Sequence, residues 1–191
     1  MIRVALFDVD GVVIRKHEYF SELLAREYNI PIEEVIGFFK NEFKLCSLGK
    51  ADLKEEIVKY FEKWKWKKSA DELLKIWFEN EKEVDQEVLL FVGGLRKKGI
   101  KCFLATNQEK YRLKYLFEEI GLKEHFDGAF ASCELGRTKS DKEFYDLIVE
   151  KLGNIQSEEI IFWDSDKKIA ETANNLGIVG RLYTGSKDLK I

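Results

Sequence analysis

Hydrophobic positions along this 191-residue chain change their rhythm twice. Residues 4–7, Val-Ala-Leu-Phe, are a continuous apolar run, and so short a run predicts a buried strand. Between Glu18 and Arg96 the spacing becomes three and four: Phe20, Leu23, Leu24 and Tyr28, then Val35, Phe38, Phe39 and Phe43, then Leu53, Ile57, Tyr60 and Phe61, then Leu73, Leu74 and Trp77. These stripes predict amphipathic helices. Asp52 and Asp71 stand near two helix starts, where capping carboxylates belong, and Asn29-Ile30-Pro31-Ile32 and Leu48-Gly49-Lys50 punctuate the run. After Gly99, short apolar runs alternate with helical stretches. Residues 100–105, 128–131, 160–163 and 179–183 read as strands, and residues 111–120, 142–152 and 168–176 as the helices between them.

That alternation predicts an α/β fold with a parallel sheet, which the first strand joins from far away in sequence. The helical block is then an insertion. Its expected bounds are 16–96, with the α/β part made of 1–15 and 97–191, and the chain is long enough to bury a full core. A formal charge of −3 gives no basic footprint for nucleic acid, and charged residues at 35% are mixed along the chain as on a solvated surface. There is no long uncharged apolar segment and no signal-peptide arrangement at the start, so the expectation is a cytoplasmic protein with no membrane or nucleic-acid partner. Cys46, Cys102 and Cys133 are odd in number and lack zinc-ligand spacing, which predicts reduced, packed thiols.

The chemistry-bearing residues fall at the ends of the expected strands. Asp8-Val9-Asp10-Gly11 follows the first, with Gly11 suited to a sharp turn. Two carboxylates there can bind a hard cation, attack an electrophile or shuttle a proton. Thr106-Asn107 follows the second strand, and Asp164-Ser165-Asp166 follows 160–163. Lys139 lies in Gly136-Arg137-Thr138-Lys139-Ser140, ahead of a helix that Ser140 or Asp141 can cap. Parallel strands bring all of these loops to one sheet edge, where ligands bind in open α/β folds. Carboxylates for a cation, a hydroxyl and an amide for phosphoryl oxygens, and a lysine for accumulated charge form a set suited to phosphoryl transfer.

In these four motifs the chain resembles the haloacid dehalogenase-like hydrolases, and their phosphatases in particular. Asp8-Val9-Asp10-Gly11-Val12 matches the family's first motif, Leu104-Ala105-Thr106-Asn107 its second, Lys139 before a helix its third, and Phe162-Trp163-Asp164-Ser165-Asp166 its fourth. The resemblance implies a Rossmann-like three-layer αβα core with a small all-helical cap inserted after the first motif. It implies Asp8 as nucleophile forming an aspartyl-phosphate, and Asp10 as the acid and base. Mg2+ would be held by Asp8, the Asp10 main-chain carbonyl and Asp164. Thr106, Asn107 and Lys139 would hold the phosphoryl group, with Lys139 also keeping Asp8 ionised. The implied partner is a small phosphorylated metabolite, a sugar phosphate among the candidates.

The family pattern is not matched everywhere. Ser140 stands where many relatives have proline, and Ser165 and Ile169 stand where the fourth motif often carries further acids, so Ser165 and Asp166 are expected to orient the site or act through water. Lys110, Asp141 and Lys142 are competitors assigned to helices, and His125 to a surface or packing role. Lys16, His17, Lys44, Cys46, Ser47 and Lys50 are the candidate substrate contacts of the cap. In Trp64-Lys65-Trp66-Lys67-Lys68 the expected pattern is packed tryptophans with solvated lysines. A sugar phosphomutase of the same superfamily keeps every phosphatase residue and stays open as an alternative. A non-catalytic phosphate-binding or receiver-like signalling module is a further one, although its acids are normally adjacent at the first strand. A dehalogenase has no need of Asp10 and Asp164.

Overall fold

Five parallel strands form one sheet in the order β3-β2-β1-β4-β5: β1 Val4–Phe7, β2 Lys101–Thr106, β3 Gly128–Ala131, β4 Ile160–Asp164 and β5 Val179–Leu182. The structure is a computed structural model and describes residues 1–15 and 18–191. A parallel sheet covered on both faces needs strands that are apolar at every position, and every residue of β1 and β4 is buried. Alternate side chains then point to opposite faces. Ala5, Phe7, Cys102, Leu104, Ile161 and Trp163 face α6 (Gln86–Lys97), meeting Val88, Val92 and Leu95. Val4, Leu6, Ile160 and Phe162 face α9 (Lys142–Leu152) and α10 (Lys167–Asn175), meeting Phe144, Ile148, Ile169 and Ala173. Two helical layers around one sheet are the expected three-layer αβα core.

Among the described residues, five further helices lie between β1 and α6: α1 Phe20–Tyr28, α2 Ile32–Lys40, α3 Glu42–Ser47, α4 Leu53–Val58 and α5 Ala70–Asn80. They share a hydrophobic cluster of their own, dense in aromatic rings. Phe20 stacks on Trp77 at 5.0 Å, while Phe38 meets Tyr60 at 5.2 Å and Trp64 at 5.9 Å edge-on. Such pairs add about 0.5–1.5 kcal/mol each beyond burial. The helical run read up to residue 96 therefore divides between two cores: α1–α5 pack on one another, and α6 packs on the sheet. The outgoing and returning chains lie side by side, with Arg15 N–H donating to Glu83 O at 2.9 Å and Asp85 N–H to Val13 O at 2.8 Å.

Several local expectations are corrected. Ser69, not Asp71, caps α5, in a reciprocal box with Glu72; Asp71 lies in the first turn and pairs with Lys54. Asp52 does cap α4. The helix read over 111–120 is α7 (Lys110–Lys114) running into a π-helical turn, Tyr115–Glu119. A short helix not read from the sequence, α8 (Ser132–Leu135), follows β3. Asp141 sits at the N-cap of α9, but its carboxylate accepts from the Thr138 N–H and hydroxyl instead. Trp64 and Trp66 are buried while Lys65, Lys67 and Lys68 are exposed. Cys46, Cys102 and Cys133 are free thiols. No helix among the described residues is long and apolar enough to cross a membrane.

Candidate active site

The chain runs outward from β1 through β2 to β3, then returns to place β4 on the other side of β1. That reversal leaves a crevice at the carboxyl ends of β1 and β4, where a doubly wound fold binds its ligand. Phe7 pairs with Leu104 on one side and Trp163 on the other, so the next residue out, Asp8, stands level with Asp164. Gly11, at φ +85°, takes the left-handed conformation that turns the chain back, with its N–H donating to Ile14 O at 2.7 Å.

Lys139 reaches into this crevice from the segment ahead of α9. Its ammonium lies 2.5 Å from Asp8 Oδ1 and 2.8 Å from Asp164 Oδ2, and all three side chains are buried. Asn107 fixes the lysine's backbone, its Oδ1 accepting the Lys139 N–H at 2.9 Å. The Val9 N–H donates to Asp8 Oδ1, and the Asp166 N–H to Asp164 Oδ1, both at 2.8 Å. Burial is the strongest influence on Asp8 and raises its pKa from 3.8 to about 7, against the attraction of Lys139 and with Asp164 adding to the rise. Burial alone would lower Lys139, but the two carboxylates outweigh it and hold the lysine charged.

Asp10 is more exposed and faces a cleft of about 770 Å³ lined also by Gly11, Tyr19, Glu81, Ser165 and Asp166. Its Oδ2 accepts from Gln108 Nε2 at 2.5 Å, its Oδ1 lies 3.7 Å from Arg112 Nη2, and its main-chain carbonyl accepts from Ser165 Oγ at 3.1 Å. Thr106 is buried at the end of β2, Asn107 is exposed beyond it, and Asp166 caps α10. Gln108, Arg112 and Glu81 carry no sequence signal of their own. Burial pushes Glu81 up to about 7, Arg112 opposing and Asp10 reinforcing the shift.

The candidate substrate contacts are scattered. Lys16 and His17 lie outside the described residues. Cys46 is buried with its thiol against Glu42 O, and burial pushes that thiol up to about 11. Cys46 and Lys50 line another cleft of about 770 Å³, shared with Asp52, Lys110 and Cys133, to which none of the four aspartates and lysine of the crevice contributes. Ser47 docks the helices on the core, its carbonyl accepting from Ser132 Oγ at 2.5 Å. Lys44 borders an apolar pocket formed with Phe20, Phe39 and Trp77, which meets the Asp10 cleft at Tyr19 and Glu81.

The crevice offers oxygen donors throughout: two carboxylates at the strand ends and the Asp10 carbonyl. Among the described residues no three acidic, histidine or cysteine side chains gather as a metal cluster. The implied Mg2+ set needs only two such side chains, with a backbone carbonyl and waters completing it. Asp8 takes both the Val9 N–H and the Lys139 ammonium on Oδ1, each Asp164 oxygen accepts one bond and keeps a second acceptor position, and one lysine leaves the pair of carboxylates with net negative charge. The residues present therefore fit a hard divalent cation.

Residues 2–177 match the haloacid dehalogenase-like hydrolase family. The chain is a haloacid dehalogenase-like hydrolase. Among curated proteins this hydrolase is similar to a phosphorylated carbohydrates phosphatase of Thermotoga maritima, 25% identical over 192 residues that cover 95% of this chain and 84% of that protein. Among solved structures it is similar to a haloacid dehalogenase family enzyme of Bacteroides thetaiotaomicron, with a TM-score of 0.81, 21% identity, and 96% and 93% of the two chains covered. The same enzyme in complex with magnesium and inorganic phosphate superposes with a TM-score of 0.74, at 21% identity and 96% and 94% coverage.

Proposed function

We propose that this hydrolase is a Mg2+-dependent phosphatase of small phosphomonoesters, sugar phosphates included, that carries the phosphoryl group on Asp8. The observation that carries the reading is the buried Asp8–Lys139–Asp164 group at the carboxyl edge of the sheet, two residues from Asp10 and its cleft. The similarity to the Thermotoga phosphorylated carbohydrates phosphatase supports the substrate class, and the magnesium and phosphate bound by the Bacteroides enzyme support the cofactor.

Both the Val9 N–H and Lys139 engage Asp8 Oδ1, so Oδ2 is the oxygen assigned to attack phosphorus. As that bond forms and the ester P–O bond breaks, Asp10 gives a proton to the leaving oxygen. Asp10 then takes a proton from water, whose oxygen bonds phosphorus and frees Asp8 and inorganic phosphate. Lys139 holds charge on the phosphoryl oxygens, and Thr106 and Asn107 donate to them. Asp8, Asp164 and the Asp10 carbonyl would hold the cation, which when bound neutralises phosphate charge and keeps Asp8 ionised. Helices α1–α5 act as the cap that excludes water from the cleft.

Phosphate release from p-nitrophenyl phosphate and a panel of sugar phosphates tests this, with Mg2+ and with EDTA. Wild-type release that stops in EDTA and in Asp8→Asn is expected. Release that survives either change contradicts the reading.

A further inference from the structure

The Asp10 carboxylate is hydrogen-bonded by one side chain and ion-paired with another, both following the second motif in sequence. Gln108, itself buried, donates to Oδ2 at 2.5 Å. Arg112, on α7, lies 3.7 Å from Oδ1 and is only 2% exposed. Burying a guanidinium costs several kcal/mol unless its charge and its N–H groups find partners. Here Nη1 donates to Phe78 O at 3.2 Å and Nη2 to Glu81 O, and the carboxylates of Glu81, at 3.8 Å, and Asp10 supply the countercharge. Phe78 lies in the last turn of α5, and Glu81 is its C-cap. The guanidinium therefore joins the end of the helical segment to Asp10. Arg112 is itself set in place locally: Glu109 caps α7, its carboxylate accepting the Arg112 N–H, and Phe78 and Tyr115 lie against the guanidinium with centroids at 5.5 and 5.9 Å.

We propose that Arg112 and Gln108 are positioning residues that together aim the Asp10 carboxylate at the leaving-group oxygen, with Arg112 tying that aim to the seat of the helical cap. The proposal rests on the reading of Asp10 as the acid. A planar guanidinium spans two carbonyls and a carboxylate at once, which a lysine ammonium on a flexible stem does not reproduce. Gln108 fixes the second oxygen and so limits rotation about the carboxylate. Neither residue bonds phosphorus or the leaving oxygen; both act through Asp10.

The test compares two esters of nearly equal shape. p-Nitrophenolate departs readily without a proton, whereas the more basic phenolate of phenyl phosphate depends on the acid. The ratio of their kcat/KM values reports on proton donation during transfer to Asp8, because kcat/KM covers steps only up to departure of the phenol. General acid assistance is worth about 10²–10⁴-fold, so misaiming the acid in Arg112→Lys is expected to lower kcat/KM for phenyl phosphate about tenfold more than for p-nitrophenyl phosphate. Gln108→Leu, which leaves the α5 contacts untouched, is expected to shift the ratio in the same direction and decides the question if Arg112→Lys does not fold. Equal losses on the two esters mean a structural role alone and overturn the proposal. Asp10→Asn is measured alongside. If its ratio equals that of wild type, the assignment of Asp10 as the acid fails; if it shifts while the Gln108 and Arg112 variants do not, only the positioning role fails.

Discussion

Asp8 is a carboxylate placed where burial works against its charge. Its pKa rises from 3.8 to about 7 on folding of the metal-free protein. Folding thus favours the protonated carboxyl, and the stability this contributes is fully present below about pH 3.8 and is lost as pH rises through about 7. Asp8→Asn keeps the shape and cannot ionise. In EDTA its unfolding free energy, followed by denaturant titration between pH 4 and 7, is therefore expected to gain steadily on that of wild type as pH rises. A difference that stays constant across this window would mean that the ion pair with Lys139 fully offsets burial. Glu81 is shifted up in the same way, so a slope remaining in the variant belongs partly to it.

Part of this site is legible in the sequence. Asp8, Asp164 and Lys139 each follow or precede a strong local signal, an apolar strand or a periodic helix, and the structure gathers all three in one crevice. Gln108 and Arg112 were not legible. Gln108 meets Asp10 across 98 positions, and Arg112 meets Glu81 across 31, so no local pattern marks either contact. Cys46 and Lys50, candidate substrate contacts by sequence, flank the Gly49 turn. The turn docks on α8, a four-residue helix too short to produce a period.

At the scale of elements, the helical segment meets the core through close backbone contact. Gly49 has φ +68°, and a Cβ there would lie 2.2 Å from Cys133 O. Ser132 Oγ bonds Ser47 O beside it, and Asp52, the α4 cap, accepts from Tyr111 OH at 2.8 Å and pairs with Lys110 at 2.6 Å. Gly49→Ala is expected to cost about 1–3 kcal/mol through overpacking and left-handed strain. Chemical denaturation measures this, and a loss under about 0.5 kcal/mol, the range of ordinary surface changes, would show that the contact yields easily. Element boundaries are legible where punctuation is strong, as at β3 and α9, which span the expected 128–131 and 142–152. They are less so after α7, because Leu113, Leu116, Phe117 and Ile120 suit an α-helix and a π-helical turn alike.

At the scale of the whole molecule, two cores have separate tasks. The sheet and its flanking helices place the charged crevice, and the aromatic cluster of α1–α5 gives the inserted segment a core of its own beside the paired crossings at residues 13–15 and 83–85. Arg112 and Gly49 lie where the two meet. That arrangement makes sense for a reaction whose phosphoryl group is held in the core while the rest of the substrate lies under the cap, and it has a chemical signature. The most direct measurement is rapid acid quenching of the enzyme during turnover of p-nitrophenyl phosphate with Mg2+, followed by peptide mass spectrometry. The peptide containing Asp8 is expected to gain the mass of one phosphoryl group, and Asp10→Asn to accumulate more of it because water is no longer deprotonated efficiently. Turnover with no phosphoryl group on Asp8 at any quench time, in either protein, would contradict the assignment of Asp8 as nucleophile.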